Sequence, residues 1–172
     1  MRTVFLVTAF NNWGKSTLLY DLFAVRAFRA DVPYLYDGQP FLVLTKSNDD
    51  LGKMRYEREY RDRLRKFKKS NGAPTYIASA FCPTREPRNN SITILRALYG
   101  ADRIEMLLLE YKWCGHAKLL LREIEQYYAD ERNVTVHRVT SRSRDGKLAS
   151  AKVIFSNGLR SGRASKSIKA RP

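Results

Sequence analysis

The sequence predicts an α/β fold with a mainly parallel sheet flanked by helices, followed by a basic C-terminal hairpin and tail. Strand-like and helix-like segments alternate along most of the chain, as they do in parallel sheets with helical crossovers. Residues 3–8 and 104–110 are apolar with little alternation, which is typical of strands buried on both faces. The chain has 172 residues, of which 44% are hydrophobic, and is therefore long enough to bury a sizeable core.

The first half of the chain is predicted to contain a strand, a helix, a hairpin and a long basic helix. These segments are, in order, 3–8, 16–28, 31–36 with 41–45, and 49–69. Asp37-Gly38 is a strong turn signal between the two hairpin strands. The basic helix carries nine Lys or Arg residues, and Asn71-Gly72 ends it.

The second half continues the alternation. The predicted segments are a strand at 75–81, a loop at 83–90, a helix at 91–99, a strand at 104–110, a helix at 115–128 and a strand at 134–139. Beyond Thr140, Asp145-Gly146 separates two stretches of β-like alternation, and the end of the chain is rich in Gly, Ser, Lys and Arg. Residues 141–172 are therefore predicted to form a basic hairpin and a flexible tail.

The formal net charge of +15 predicts attraction to polyanions such as nucleic acid or nucleotides. Residues 138–172 are the most basic part, with ten Lys or Arg against the single acid Asp145. No run of about 18 apolar residues and no signal-peptide pattern occur, and the two cysteines give no disulfide framework. We expect a cytoplasmic protein that does not associate with membranes.

The stretch Ala9-Phe-Asn-Asn-Trp-Gly-Lys-Ser16 joins the first strand to the first helix. The free N–H groups of a helix N-terminus favour an anion, and Gly14 lets the backbone approach it closely. Lys15 has the length to reach outer phosphates, and Ser16 is a hydroxyl ligand for magnesium. We refer to residues 9–17 as the elbow.

The elbow resembles the Walker A motif, or P-loop, of the P-loop NTPase superfamily, with Ala9 in place of the first Gly. The resemblance implies that residues 1–140 form a nucleotide-binding domain that takes ATP and Mg²⁺. It implies that the nucleotide is bound by Asn12, Trp13, Gly14, Lys15, Ser16 and Thr17. Lys15 is then also a catalytic residue and Ser16 a metal ligand.

The superfamily also places an acid after an apolar strand, where it holds the magnesium ion. Glu110 stands directly at the end of an apolar strand and is the first candidate for this catalytic and metal-binding role. Asp49 and Asp50 are the alternatives, although at least one of them is better placed to cap the helix that follows.

The function within the superfamily stays open among three hypotheses. An ATPase that acts with DNA or RNA fits the basic segments, with Arg138, Arg142, Arg144, Lys147 and Lys152 as nucleic-acid contacts. A small nucleotide or metabolite kinase fits the chain length and the arginines at 85 and 88, which follow a strand. A nucleotide-binding module without turnover is the third, and an oligomer is compatible with each. GTP is less favoured than ATP, because no Asn/Thr-Lys-x-Asp motif follows a late strand.

Overall fold

A computed structural model describes residues 1–113 and 115–167, with side chains described up to residue 161. Six strands form one sheet: β1 (Thr3–Thr8), β2 (Tyr34–Tyr36), β3 (Gln39–Leu44), β4 (Tyr76–Phe81), β5 (Arg103–Leu109) and β6 (Val134–Val139). Their spatial order is β2-β3-β4-β1-β5-β6. All neighbouring strands run parallel except the antiparallel β2–β3 hairpin at one edge. The predicted α/β class with a mainly parallel sheet is confirmed.

Within the described residues, six helices flank this sheet. They are α1 (Lys15–Phe23), α2 (Asn48–Leu51), α3 (Lys53–Asn71), α4 (Ser91–Tyr99), α5 (Leu121–Tyr128) and α6 (Arg144–Ser167), with a short 3-10 turn at Pro87–Asn89. α1 packs against α6, and α3 packs against α4. No helix of the described residues combines the length and the apolar character that crossing a bilayer requires.

Side chains that alternate along the strands fill the core on both faces of the sheet. On the face covered by α1 and α6, Phe5 stacks on Phe155 of α6 with ring centroids 4.1 Å apart, and Phe23 of α1 contacts Phe41. On the other face, the Tyr56 hydroxyl of α3 lies 2.8 Å from Ser79 Oγ of β4. β1 is completely buried, so its carboxyl end delivers the elbow to the centre of the sheet edge.

Three helices differ from their predicted extents. The helix predicted at 16–28 ends at Phe23, because Ala24 takes a left-handed φ of 52°. The basic segment is divided by Gly52 into α2 and α3, because Gly52 adopts a φ of 72° that interrupts the helical backbone. The segment predicted as a helix from residue 115 instead begins with an extended turn, in which Tyr111 and Lys118 form an isolated antiparallel bridge. The helix α5 starts only at Leu121.

The predicted C-terminal hairpin is wrong, since Asp145-Gly146 lies in the first turn of α6. Ser143 precedes this helix, and its hydroxyl accepts a hydrogen bond from the Gly146 N–H at 3.1 Å, as an N-cap residue does. Asp145 in the first turn is favoured by the helix dipole. The predicted tail is helical as far as Ser167, and residues 168–172 lie outside the described residues.

The apparent β alternation of this segment also fits one buried helical face. The side chains of Lys147, Ala151, Phe155 and Leu159, spaced four residues apart, are buried. Gly158 completes the contact, because a Cβ at this position would lie 2.6 Å from the Phe5 ring. The helix therefore packs its backbone directly against the central strand.

A buried charge cluster lies beneath α6. Glu105 of β5 forms an ion pair with Arg103, and its Oε2 lies 2.6 Å from His137 Nε2. Burial alone would raise the pKa of Glu105, but the hydrogen bonds from His137 and Arg103 outweigh burial and lower the pKa below its ordinary value of 4.5. Glu105 is thus an ionised carboxylate held inside the fold by two partners.

We predict that this cluster makes the protein sensitive to acid. A carboxylate with a lowered pKa contributes stability above its unfolded pKa, and this contribution disappears as the pH falls through the folded pKa. The free energy of unfolding, measured by urea titration, should therefore decline below about pH 4.5. The Glu105→Gln variant should be less stable at neutral pH and should show a smaller decline. Equal declines in the two proteins would contradict the assignment.

Candidate nucleotide-binding site

The elbow lies at the carboxyl edge of the sheet, between the ends of the two strands that flank β1. It leaves β1 after Thr8, and the Ala9 N–H still donates to the Phe81 carbonyl of β4 at 3.2 Å. In parallel sheets, ligands bind at this edge where the connections of neighbouring strands leave in opposite directions. Here the chain leaves β1 towards β3 and leaves β5 towards β6.

Two residues of the elbow adopt the left-handed backbone conformation, which turns the chain sharply. Asn12 has a φ of 60° and Gly14 a φ of 85°. No side chain of the described residues caps α1, so the N–H groups of Lys15, Ser16 and Thr17 in its first turn point towards the elbow without a capping acceptor. Such a concave set of backbone donors is an anion-binding arrangement.

Lys15 is almost completely buried, with 5% of its side chain exposed. Its Nζ donates to the Phe10 carbonyl at 2.8 Å and lies 3.4 Å from Asp49 Oδ2. An ammonium group carries three N–H donors, so the contact with Phe10 and the ion pair with Asp49 leave one for a ligand. The two contacts hold the side chain beside the elbow.

The two candidate aspartates have different roles. Ser47 and Asp50 form a capping box at the start of α2, in which Asp50 Oδ2 accepts from the Ser47 N–H at 2.8 Å. Asp50 is therefore a helix cap. The carboxylate of Asp49 instead faces Lys15 and also accepts a hydrogen bond from the Ser47 hydroxyl.

Asn48 fixes α2 to the end of β4. Its Nδ2 donates to the Cys82 carbonyl at 3.1 Å, and its Oδ1 accepts from the Cys82 N–H at 2.7 Å. This pair of bonds is fully buried, and it sets where Asp49 meets the elbow. Sequence reasoning missed Ser47 and Asn48; the Ser-x-x-Asp spacing at residues 47–50 is the capping-box signal that could have identified the former.

The Cys82 thiol beside this pair is not a nucleophile. Burial, reinforced by the nearby Asp49 carboxylate, raises the pKa of Cys82 to about 12. The thiol therefore stays protonated at neutral pH. Cys114, the second cysteine, lies outside the described residues.

The oxygen atoms near the elbow fit a magnesium ion that is partly coordinated by phosphates. Ser16 Oγ donates to the Thr45 carbonyl at 2.6 Å, which holds this hydroxyl at the end of β3. Asp49 adds a carboxylate. No three His, Cys, Asp or Glu side chains of the described residues form a metal cage, and Mg²⁺ bound with phosphates requires only one or two protein carboxylates.

Glu110, the other predicted metal ligand, is directed elsewhere. Its Oε1 lies 3.1 Å from Lys118 Nζ in the turn that follows β5. Its backbone pairs with Val139 and Leu119, which fixes it between β6 and this turn. The structure thus brings Asp49, and not Glu110, to Lys15.

Trp113 covers the elbow. A Cβ on Gly14 would lie 2.2 Å from the Trp113 ring, so the indole rests directly on the glycine backbone. The cations of Arg144 and Lys147 each lie 5.5 Å from the indole centroid. The neighbouring candidate Trp13 is instead largely buried in the core.

Most of the predicted nucleic-acid contacts are occupied within the protein. Arg138 pairs with Glu125, Arg144 with Asp21, and Arg142 stacks on Tyr111. Lys147 is buried, and its Nζ donates to the Lys112 carbonyl at 3.1 Å. Lys152 is exposed on α6.

Comparisons of this chain with models of protein families, with curated proteins and with solved structures found no match. A function for the site therefore has to be inferred from its own chemistry.

We predict that Gly14→Ala destabilises the fold. A side chain in the left-handed region costs about 1–2 kcal/mol, and the new methyl group would also displace the Trp113 indole. Urea unfolding should show both losses. In a Trp113→Ala background the clash with the indole is absent, so Gly14→Ala should there lower the free energy of unfolding only by the cost of the left-handed backbone. A Gly14→Ala protein as stable as the parent would exclude the close contact.

Proposed function

We propose that this chain is a P-loop enzyme that binds ATP with magnesium at the elbow and cleaves its terminal phosphate. The observation that carries the proposal is the position of Lys15, an almost buried cation held beside uncapped helix N–H groups. A triphosphate supplies the anion that both features favour. Asn12, Trp13 and Gly14 shape the elbow, while Lys15, Ser16 and Thr17 direct their N–H groups to the phosphates.

Magnesium belongs to the same proposal. The Ser16 hydroxyl and the Asp49 carboxylate are the residues that would hold it, and the ion would neutralise charge on the transferred phosphoryl group. The Asp49 contact with Lys15 holds both groups beside the elbow. Glu110 is the weaker candidate because Lys118 already neutralises it.

Association with nucleic acid is a further part of the proposal, supported by α3 rather than by the C-terminal segment. Several cations on the exposed side of α3 face solvent: Arg55, Arg58, Lys66, Lys68 and Lys69. A helix with this many exposed cations suits the phosphate backbone of DNA or RNA.

Transfer of the phosphoryl group to a small acceptor is the second candidate function. A kinase requires a second pocket beside the ATP site. A cleft of about 520 Å³ borders the elbow, with Phe10 in its wall. This volume lies in the range of small-molecule sites.

We predict that Lys15→Ala weakens ATP binding. Loss of a charge-assisted hydrogen bond to phosphate should raise the Kd for Mg·ATP about 10- to 100-fold, as measured by titration calorimetry. The variant should be checked for folding by circular dichroism. A folded Lys15→Ala protein with unchanged ATP affinity would exclude the elbow as the site.

ATP turnover measured with and without DNA, at two salt concentrations, tests the proposed association with nucleic acid.

Asp49→Asn and Glu110→Gln distinguish the two candidate acids. We expect Asp49→Asn to reduce magnesium-dependent turnover about 10-fold or more, since a neutral amide is a weaker ligand for a hard cation. Glu110→Gln should have the smaller effect because its carboxylate faces Lys118. Magnesium titrations of both variants give the comparison. The reverse order of effects would return the role to Glu110.

A further inference from the structure

We propose that the cleft beside the elbow binds a nucleoside monophosphate as the phosphoryl acceptor. This inference rests on the proposed function of the elbow, and it names the substrate class of the second candidate activity. The cleft, about 520 Å³ in volume, lies between the elbow, the loop after β4 and the start of α5. We call it the acceptor cleft.

Phe10 connects the acceptor cleft to the phosphate site. Its ring lines the cleft and is 41% exposed, while its carbonyl accepts the hydrogen bond from Lys15 Nζ. Phe10 therefore contacts Lys15, the residue proposed to bind the phosphates of ATP, and also forms part of the wall of the acceptor cleft. An acceptor in this cleft lies beside the terminal phosphate of a nucleotide held by the elbow.

The walls of the acceptor cleft suit a flat, partly apolar ring. Phe10 and Leu120 are two of the large apolar side chains that the described residues leave exposed, and both line this cleft. Leu120 is 68% exposed, and Pro83 and Ile124 extend the apolar surface beside it. A cleft lined by an aromatic and several aliphatic side chains is a suitable surface for stacking a nucleobase.

The cations of the acceptor cleft suit a phosphate. Arg85 lies in the wall, where its Nη2 donates to the Glu123 carbonyl at 2.9 Å and its guanidinium stacks 4.6 Å from the Tyr127 ring. These contacts orient the group and leave four of its five N–H donors for a ligand. Lys118 is a second cation in the same wall, where it pairs with Glu110.

The chemistry of a monophosphate acceptor requires no base from the protein. With a second pKa of about 6, its phosphate is largely a dianion at neutral pH. An oxygen of this phosphate attacks the γ-phosphorus of ATP, the bond from the γ-phosphorus to the β,γ-bridging oxygen breaks, and the bond electrons leave with ADP. The products are ADP and a nucleoside diphosphate, with no proton transferred.

The test is a transfer assay on the full chain with Mg·ATP and each of the common ribo- and deoxyribonucleoside monophosphates. Chromatography should detect the corresponding diphosphate with at least one of them. Arg85→Gln and Leu120→Asp should lower kcat/KM for that acceptor about 10-fold or more, with the ATP Kd unchanged within about twofold. Arg132→Gln and Met54→Asp are matched controls, because both residues are exposed outside the cleft.

The outcomes separate this inference from the proposed function. Lys15-dependent ATP binding with release of inorganic phosphate only would overturn the acceptor cleft and keep the elbow. Transfer to the 5′-hydroxyl of an oligonucleotide instead of a monophosphate would also overturn it. The acceptor cleft would also be overturned if a diphosphate forms but Arg85→Gln and Leu120→Asp leave kcat/KM for the acceptor unchanged. Absence of ATP binding by the folded parent would overturn the proposed function and this inference with it.

Discussion

The ammonium group of Lys15 is the contact on which the arrangement of the site depends. It joins the Phe10 carbonyl of the elbow to the Asp49 carboxylate of α2, two segments that are 39 residues apart in the chain. A charge this deeply buried is costly unless it is paired and hydrogen-bonded. The elbow and α2 therefore have to remain together for Lys15 to remain satisfied.

The position of α2 follows from a second set of buried bonds. β3 pairs with β4 only as far as Ser79, and beyond that point the side chain of Asn48 forms both hydrogen bonds with the backbone of Cys82. These bonds hold the start of α2 at the end of β4. The capping box of Ser47 and Asp50 then directs the chain so that Asp49 meets Lys15. A ligand that binds Lys15 would meet a preorganised acid, because neither α2 nor the elbow has to be ordered first.

The parts of the fold and site that sequence could predict are those with local signals. β1 and β5 are recognisable because strands buried on both faces are mostly apolar, although β5 also carries the buried Glu105. The hairpin turn is recognisable because Asp-Gly readily takes the positive φ that Asp37 and Gly38 both show. The elbow is a contiguous motif. Its partners Asp49 and Trp113 are distant in sequence, so their contacts with the elbow follow from the fold and not from a local signal, although Asp49 was one of the acids that the sequence offered. Glu110 was the stronger sequence candidate because it ends an apolar strand. That position does not predict the ion pair with Lys118, which depends on the turn after β5.

The error at the C-terminal segment changes how the net charge should be interpreted. In a short segment, the alternation of apolar and polar residues that indicates a strand cannot be distinguished from the spacing that indicates a helix when many of the apolar positions are small residues, such as Ala149 and Ala151. As a helix, α6 buries Lys147 and places the exposed Arg144 beside it, so that both cations lie against the Trp113 ring.

The cations of α3 belong to the opposite face of the sheet, because Tyr56 bonds to Ser79 while Phe155 of α6 packs on Phe5. The cations of the described residues therefore include two groups on opposite faces of the sheet. One group of cations stabilises the elbow from the α6 side, and another is exposed on α3. A polyanion attracted to α3 would lie on the face away from Trp113, and would leave the elbow and its cover accessible to a nucleotide.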